Sequence, residues 1–237
     1  MIGGDVRFAH LVAILNESGR EAVGFLQEKA GGGSPDLREL ERFSCVISNW
    51  PMRWPLAEGE HSDGEIMEHI APGSVLLLCG PKFPQQRRWD LQYVNLWEDE
   101  LLLRENAYLT AEAAVASAMR RTRLAMAGMR CAVIGYGRIG RSLTELLLNL
   151  GARGMVGSAR EAKRVAAREA GAEAVALADI DAALPEQDVI FSTPPATVID
   201  EAALEHVDEE AILIDLASPP YGFALDAARA RNLRAYR

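Results

Sequence analysis

The sequence predicts an α/β protein of two lobes joined by a long helix, the C-terminal lobe a doubly wound parallel sheet. Three observations predict it. The run Cys131-Ala132-Val133-Ile134-Gly135-Tyr136-Gly137-Arg138-Ile139-Gly140 reads as a buried strand turning into an amphipathic helix over 141–150. Strand and helix patterns then alternate as far as residues 211–216, as a parallel sheet with crossover helices requires. Ahead of them, residues 109–127 are alanine-rich and free of proline, a helix long enough to bridge two lobes.

In the N-terminal lobe, Met1-Ile2-Gly3-Gly4-Asp5 reads as a strand end running into a turn, and 6–18 as an amphipathic helix closed near Gly19. Strands are expected at 22–26, 45–48 and 74–79. Between them, 49–64 holds Trp50, Pro51, Trp54 and Pro55 and reads as irregular. Its tryptophans either cover a flat substrate or pin the loop to the core, and pinning is the commoner role.

In the C-terminal lobe, the second strand is expected at 153–157 and a charged, alanine-rich helix over 161–170, ended by Gly171. A short helix follows at 181–184, then a strand at 188–192 stopped by Thr193-Pro194-Pro195, where proline cannot continue the ladder. The last expected strand, 211–216, leads into Ala217-Ser218-Pro219-Pro220. The boundaries follow: an α/β substrate lobe over 1–105, a linking helix over 106–128 and a nucleotide lobe over 129–237.

The spacing Gly135, Gly137, Gly140 between strand and helix is a dinucleotide fingerprint. Gly135 makes the turn, Gly137 admits a pyrophosphate close to the backbone, and Gly140 lets helix and strand pack. Tyr136, Arg138 and Ile139 complete the turn, and the unpaired N–H groups of the helix start favour an anion. Where the second strand ends, most such domains place an acid on the adenosine ribose. Here stand Ser158 and Arg160. A guanidinium grips a 2′-phosphate, so NADP is the expected cofactor. Alternatively, Arg160 simply opens the next helix on a solvated face. Thr193, Pro194, Ala217 and Ser218, at strand ends, are expected to border the nicotinamide.

Composition excludes other classes. A chain of 237 residues with 49% hydrophobic content can bury a core in each of two lobes, and its net charge of −9 opposes a nucleic-acid footprint. No apolar run reaches the ~20 residues a membrane helix needs, and no leader precedes the first helix. Cys45, Cys79 and Cys131 are odd in number and set near apolar strands, as reduced core thiols of a cytoplasmic protein would be. His10, His61, His69 and His206 show no metal-ligand spacing, so no metal is expected.

Four segments together resemble the A-type subunits of dipicolinate synthase, a family of spore-forming bacteria. They are Gly3-Gly4-Asp5-Val6-Arg7, Asn106-Ala107-Tyr108-Leu109-Thr110-Ala111-Glu112, Val133 through Gly140 with Gly157-Ser158-Ala159-Arg160, and Asp215-Leu216-Ala217-Ser218-Pro219. The resemblance implies NADP-linked oxidation of a dihydrodipicolinate-type ring to dipicolinate during sporulation, together with a second, flavoprotein-like B-type subunit. It leaves a homo-oligomer open. It also implies substrate contacts at Gly4, Asp5 and Arg7, with Asn106, Thr110 and Glu112 around the reacting ring. Glu112 is the candidate proton acceptor, as a half-buried carboxylate with a raised pKa. Its other reading is a helix acid favoured by the dipole.

This chain departs from the family pattern in three places. Ala107-Tyr108-Leu109 replaces Ser-Ile-Pro, the chain starts at the end of the first strand, and it stops at Arg237, before the family's final return helix. A truncated or frameshifted product is one expectation. Two rival functions stand beside the main one. A D-2-hydroxyacid-type dehydrogenase would need a catalytic His, which His206 fits poorly. The other rival is a non-catalytic nucleotide-binding fragment.

Overall fold

The computed structural model describes residues 2, 6–24, 36–49, 52, 54–56, 59–80, 84 and 87–237, and at 6, 7, 54–56 and 59–61 the backbone alone. The chain divides into two compact units, Met1–Leu102 and Leu103–Arg237.

The first unit opens with Ile2 and helix α1 (Val6–Glu17). Strand β1 (Cys45–Asn49) follows, then the short ribbon β2 (Trp54–Leu56) and β3 (Gly59–His61), helix α2 (Asp63–Glu68), β4 (Val75–Cys79) and β5 (Gln92–Asn95). The sheet order is β1-β4-β5, all parallel, and Ile2 extends its free edge by a parallel bridge to Ser48. Ile2, Leu40, Val46, Ile66, Leu76 and Leu78 form its core. A capping box starts α2, with Ser62 and Glu65 each bonding the other's backbone N–H.

Two expectations fail here. Residues 22–24 are not a strand: the Asn16 amide takes both the N–H and the carbonyl of Ala22, at 3.0 and 2.9 Å, so a turn claims the groups a ladder would use. Phe25 and Leu26 lie outside the described residues. Nor is 49–64 wholly irregular, because β2 and β3 pair antiparallel, with Pro55 opposite Glu60. A two-stranded ribbon tolerates Pro55 because one side of each strand needs no partner. Trp50 lies outside the described residues.

Helix α3 (Glu100–Arg121) carries the boundary between the units. The helix expected at 109–127 therefore starts and stops earlier. Asp99 accepts the Leu102 N–H at 3.0 Å and caps the start. At the other end, Thr122 accepts the Leu124 N–H and opens a turn.

The second unit continues with β6 (Arg130–Ile134), α4 (Arg138–Asn149), β7 (Arg153–Gly157), α5 (Glu161–Glu169), β8 (Glu173–Val175), β9 (Val189–Ser192), β10 (Ile212–Asp215), α6 (Leu225–Ala230) and β11 (Arg234–Tyr236). In place of the short helix at 181–184 there are two 3₁₀ turns, Leu177–Ala182 and Leu184–Glu186. The six strands are parallel in the order β11-β10-β9-β6-β7-β8. Counting from β6, that is the 3-2-1-4-5-6 order of a dinucleotide-binding sheet.

Successive side chains of β6, β9 and β10 alternate between two cores. Ala132, Ile134, Ile190 and Leu213 enter one; Cys131, Val133, Phe191 and Ile214 enter the other, beside Ala111, Ala114 and Ala118 of α3. Both faces are covered, which is why these strands read as unbroken apolar runs.

Helix α3 runs against the strand direction. The Arg121 carbonyl accepts a hydrogen bond from Nη2 of Arg234, which opens β11, and its guanidinium lies 4.0 Å from the Tyr236 ring centroid. The N-terminal half of α3 is thus directed toward the strand C-termini. At ~1.5 Å per residue it spans roughly 22 Å from Arg121 back to Asn106, more than a five-residue strand covers.

Candidate functional site

The strand order reverses between β6 and β9, so a crevice opens outside their C-terminal ends. Thr193 N–H and Oγ1 both donate to the Ile134 carbonyl at 3.0 Å, joining the two strand ends there.

The three glycines of the turn occupy different surroundings. Gly135 has φ +91°, and a Cβ on it would lie 2.5 Å from Thr193 Oγ1. On Gly140 a Cβ would lie 2.1 Å from the Gly135 carbonyl oxygen, so helix and turn touch backbone to backbone. Gly137 has nothing within 4 Å of that position. It is also the N-cap of α4 and offers no side-chain cap to the first N–H groups. Open space over an uncapped twelve-residue helix is the cradle a pyrophosphate fills. The site fits a dinucleotide.

Tyr136 supports this turn from below. It is buried with Val156, Ala167 and Ala172, and Arg141 stands 5.8 Å over its ring. Its side chain is an anchor in the core, and only its backbone can face a ligand. Arg138 is exposed and Ile139 half-buried at the start of α4.

Past β7, Ser158 is buried while Ala159 and Arg160 are exposed. Ser158 N–H donates to the Val175 carbonyl at 3.1 Å, and its Oγ accepts the Arg160 N–H at 3.4 Å. Arg164 reaches back from α5 to donate to the Ser158 carbonyl at 2.6 Å. No carboxylate stands at the strand tip. The first acid, Glu161, is bonded by Arg164 and Arg168, which hold its carboxyl below the usual carboxylate range, Arg168 contributing most.

Beyond β10, the buried Asp215 carboxylate gathers three backbone N–H groups: Ala217 at 3.0 Å, Gly222 at 2.9 Å and Phe223 at 3.3 Å. It shapes the loop that carries Ala217 (half-buried) and Ser218 (exposed) beside the crevice. Gly222 is tight against Ser192, whose buried hydroxyl has no hydrogen-bond partner among the described residues.

The structure therefore brings Gly135, Thr193 and Pro194 together at one point, with Gly137 and Gly140 behind them and Ala217 and Ser218 on the neighbouring strand end. The α3 candidates lie elsewhere in kind. Asn106 and Glu112 are exposed, and Thr110 donates its hydroxyl to the Asn106 carbonyl at 2.7 Å. Glu112 is not half-buried, because the inward face of α3 is taken by Ala107, Ala111, Ala114 and Ala118. Gly4 and Asp5 lie outside the described residues, and of Arg7 only the backbone, in α1, is described. Cys45 is exposed at its strand start and Cys79 half-buried, so only Cys131 is the core thiol expected. Its thiol is pushed up to about 12, chiefly by burial. His206 is exposed in a 3₁₀ turn, Ala203–His206.

Sequence reasoning missed Asp215, Arg164 and Arg168. Asp215 stands at the end of an apolar strand, a signal in itself, whereas the arginines show only as i, i+4 neighbours on a charged helix. A cavity of about 810 Å³ lies at the opposite, N-terminal ends of the strands, lined by Arg121, Arg130, Asp188 and Arg234 among others. It is no part of the dinucleotide crevice.

Residues 102–219, just under half of the chain, match the model of the D-isomer specific 2-hydroxyacid dehydrogenase, NAD binding domain. Fold and glycine turn define a dinucleotide-binding domain, and the matched segment makes it similar to the NAD-binding domain of those dehydrogenases. More particularly, the chain is similar to the A subunit of dipicolinate synthase from Bacillus subtilis (strain 168), 25% identical over 142 residues. That match takes in 60% of this chain and spans about half (48%) of the relative. Among solved structures, the dipicolinate synthase A subunit from Bacillus halodurans superposes with a TM-score of 0.73 at 21% identity, over 100% of this chain and 87% of that one. D-lactate dehydrogenase from Salmonella gives 0.55 at 18% identity, over 99% and 77%. At such identities the structures speak for the fold. Among the described residues, no helix is long and apolar enough to cross a membrane.

Proposed function

We propose that this chain is an NADP-dependent oxidoreductase that oxidises a dihydrodipicolinate-type ring to dipicolinate, working in the cytoplasm of a sporulating cell with a second, B-type subunit of dipicolinate synthase. The observation that carries the cofactor half is the tip of β7, where Ser158 and Arg160 replace the ribose-binding acid. The substrate half rests on the similarity to the dipicolinate synthase A subunit.

NADP, when bound, supplies the acceptor for the hydride that leaves the ring. The chain's own residues have to bind and orient. The N–H groups opening α4 hold the pyrophosphate, and Arg160 holds the 2′-phosphate. Thr193, Pro194, Ala217 and Ser218 wall the nicotinamide. The product is aromatic, so much of the driving force lies in the substrate and positioning is the protein's main task. The substrate carboxylates need cationic or N–H partners, a role assigned to Arg7 with Gly4 and Asp5. Asn106 and Thr110 orient the ring. Glu112 accepts the proton in this reading, an assignment that needs its carboxylate to lose water when substrate binds.

A D-2-hydroxyacid dehydrogenase is the second reading, favoured by the family match over 102–219. The second unit offers it no strand-end histidine, since His206, its one histidine, sits exposed in a turn. A coupled assay decides between them. Dihydrodipicolinate synthase product and NADP should give dipicolinate and NADPH together, and turnover of a simple 2-hydroxy acid instead would favour the second reading.

A further inference from the structure

The geometry points to Arg164 and Arg168 as determinants of cofactor choice: they keep the Glu161 carboxylate from the adenosine ribose and so make room for a 2′-phosphate. This rests on the reading of the cofactor as NADP.

Glu161 is the first carboxylate after β7 and the first residue of α5. Left free, it would be the acid closest in sequence to the place where NAD-type domains bind the ribose hydroxyls. It would also repel a phosphate held by its neighbour Arg160. The structure does not leave it free. Its Oε2 is bonded by Arg164 Nη2 and its Oε1 by Arg168 Nη1 at 3.2 Å, so both oxygens are taken. The two arginines are themselves anchored. Arg164, its side chain 14% exposed, donates Nη1 to the Ser158 carbonyl at 2.6 Å. Arg168 donates Nη2 to the Ala174 carbonyl at 3.4 Å. One anion between two cations leaves the cluster net positive. Arg160, by contrast, is exposed, and its guanidinium has no partner among the described residues.

An isolated exposed ion pair would matter little. Here the shared carboxylate belongs to the residue that directly follows Arg160, the residue assigned to the phosphate, and charges closer than the Debye length of ~8 Å are poorly screened by physiological salt. Losing both arginines would therefore do two things at once: restore an acid that can accept the ribose hydroxyls of NAD, and oppose the 2′-phosphate of NADP.

The test is a mutant cycle read by fluorescence titration of NADPH and NADH on the full chain. Glu161→Gln should leave the NADPH/NADH affinity ratio within about twofold of the parent, because its charge is already offset. The double variant Arg164→Gln/Arg168→Gln should lower the ratio about tenfold, and adding Glu161→Gln should bring most of it back. Arg168→Gln alone leaves the tie from Arg164 to Ser158 in place and should show the same coupling at about threefold, should the double variant fold poorly. An unchanged ratio, or a lowered one that Glu161→Gln does not restore, overturns the inference while leaving NADP as the cofactor. If the parent does not favour NADPH, or Arg160→Ala leaves the ratio untouched, the NADP reading itself fails and this inference falls with it.

Discussion

The Asp215 carboxylate accepts the Gly222 N–H at 2.9 Å across a loop that turns back on its own strand. With Ala217 and Phe223 also bound to it, one buried acid fixes both ends of the segment flanking the crevice. Asp215→Ala removes the acceptor of three backbone N–H groups and should destabilise the second unit by about 1–3 kcal/mol, visible as a lowered melting midpoint. NADPH affinity should fall with it. A variant that melts like the parent and binds NADPH unchanged would mean that the loop needs no such tie.

Gly137 and Gly140 separate binding from folding. A methyl group at Gly137 meets nothing within 4 Å, so Gly137→Ala should keep the parent's thermal stability and yet lose NADPH affinity at least about tenfold, because the methyl occupies the pyrophosphate's place. At Gly140 the same methyl would lie 2.1 Å from the Gly135 carbonyl oxygen, and Gly140→Ala should lower both stability and affinity. Calorimetry and titration on the two variants check the contrast. Equal behaviour of the pair would contradict the assigned cradle.

Cys131 gives the fold an alkaline limit. Burial first, and the Asp188 carboxylate second, raise its thiol from 9.0 to about 12. A raised folded value means that the group's contribution is intact below about 9 and is lost as pH climbs towards 12, where the unfolded thiol ionises and the folded one does not. Denaturant midpoints should fall across that range, and less steeply in Cys131→Ala. At neutral pH a thiol reagent should spare Cys131 until the chain unfolds and modify the exposed Cys45.

Arg160 and Glu112 bear the two remaining functional assignments. Arg160→Ala should cut NADPH affinity roughly ten- to a hundredfold and leave NADH nearly unchanged, since only the 2′-phosphate needs the guanidinium. Glu112→Gln should lower kcat for ring oxidation while sparing NADPH affinity. Full turnover in Glu112→Gln would leave this exposed residue a solvated acid in the middle of α3, too far from the Glu100 start for the helix dipole to favour it.

The central strands were legible because they are buried on both faces. β6, β7, β9 and β10 show as compact apolar runs whose ends Gly135, Ser158, Thr193 and Ala217 mark, and the glycine spacing carried its own meaning. The edge strands β5, β8 and β11 were not legible. Each is three or four residues long with polar members such as Gln92, Glu173 and Arg234, and backbone pairing alone makes them strands. The start of α3 depends on Asp99, a cap outside the alanine-rich stretch. Within the site, glycine conformations follow from local sequence, so the cradle could be read directly. The Arg164-Glu161-Arg168 cluster and the Asp215 loop could not, because each needs the chain to fold back on a carbonyl or N–H several residues away. Glu112 shows the converse: its helix was expected, but its exposure depends on which face of α3 the alanines bury.

Coupled oxidation is the most direct test of NADP-linked ring oxidation by this chain. The full chain, NADP and freshly made dihydrodipicolinate synthase product are combined, with and without the B-type subunit, and dipicolinate absorbance is followed together with NADPH fluorescence. Both signals should rise in equal molar amounts, and both should vanish in Gly137→Ala. NADPH bound tightly, the B-type subunit present and no dipicolinate formed would contradict that activity.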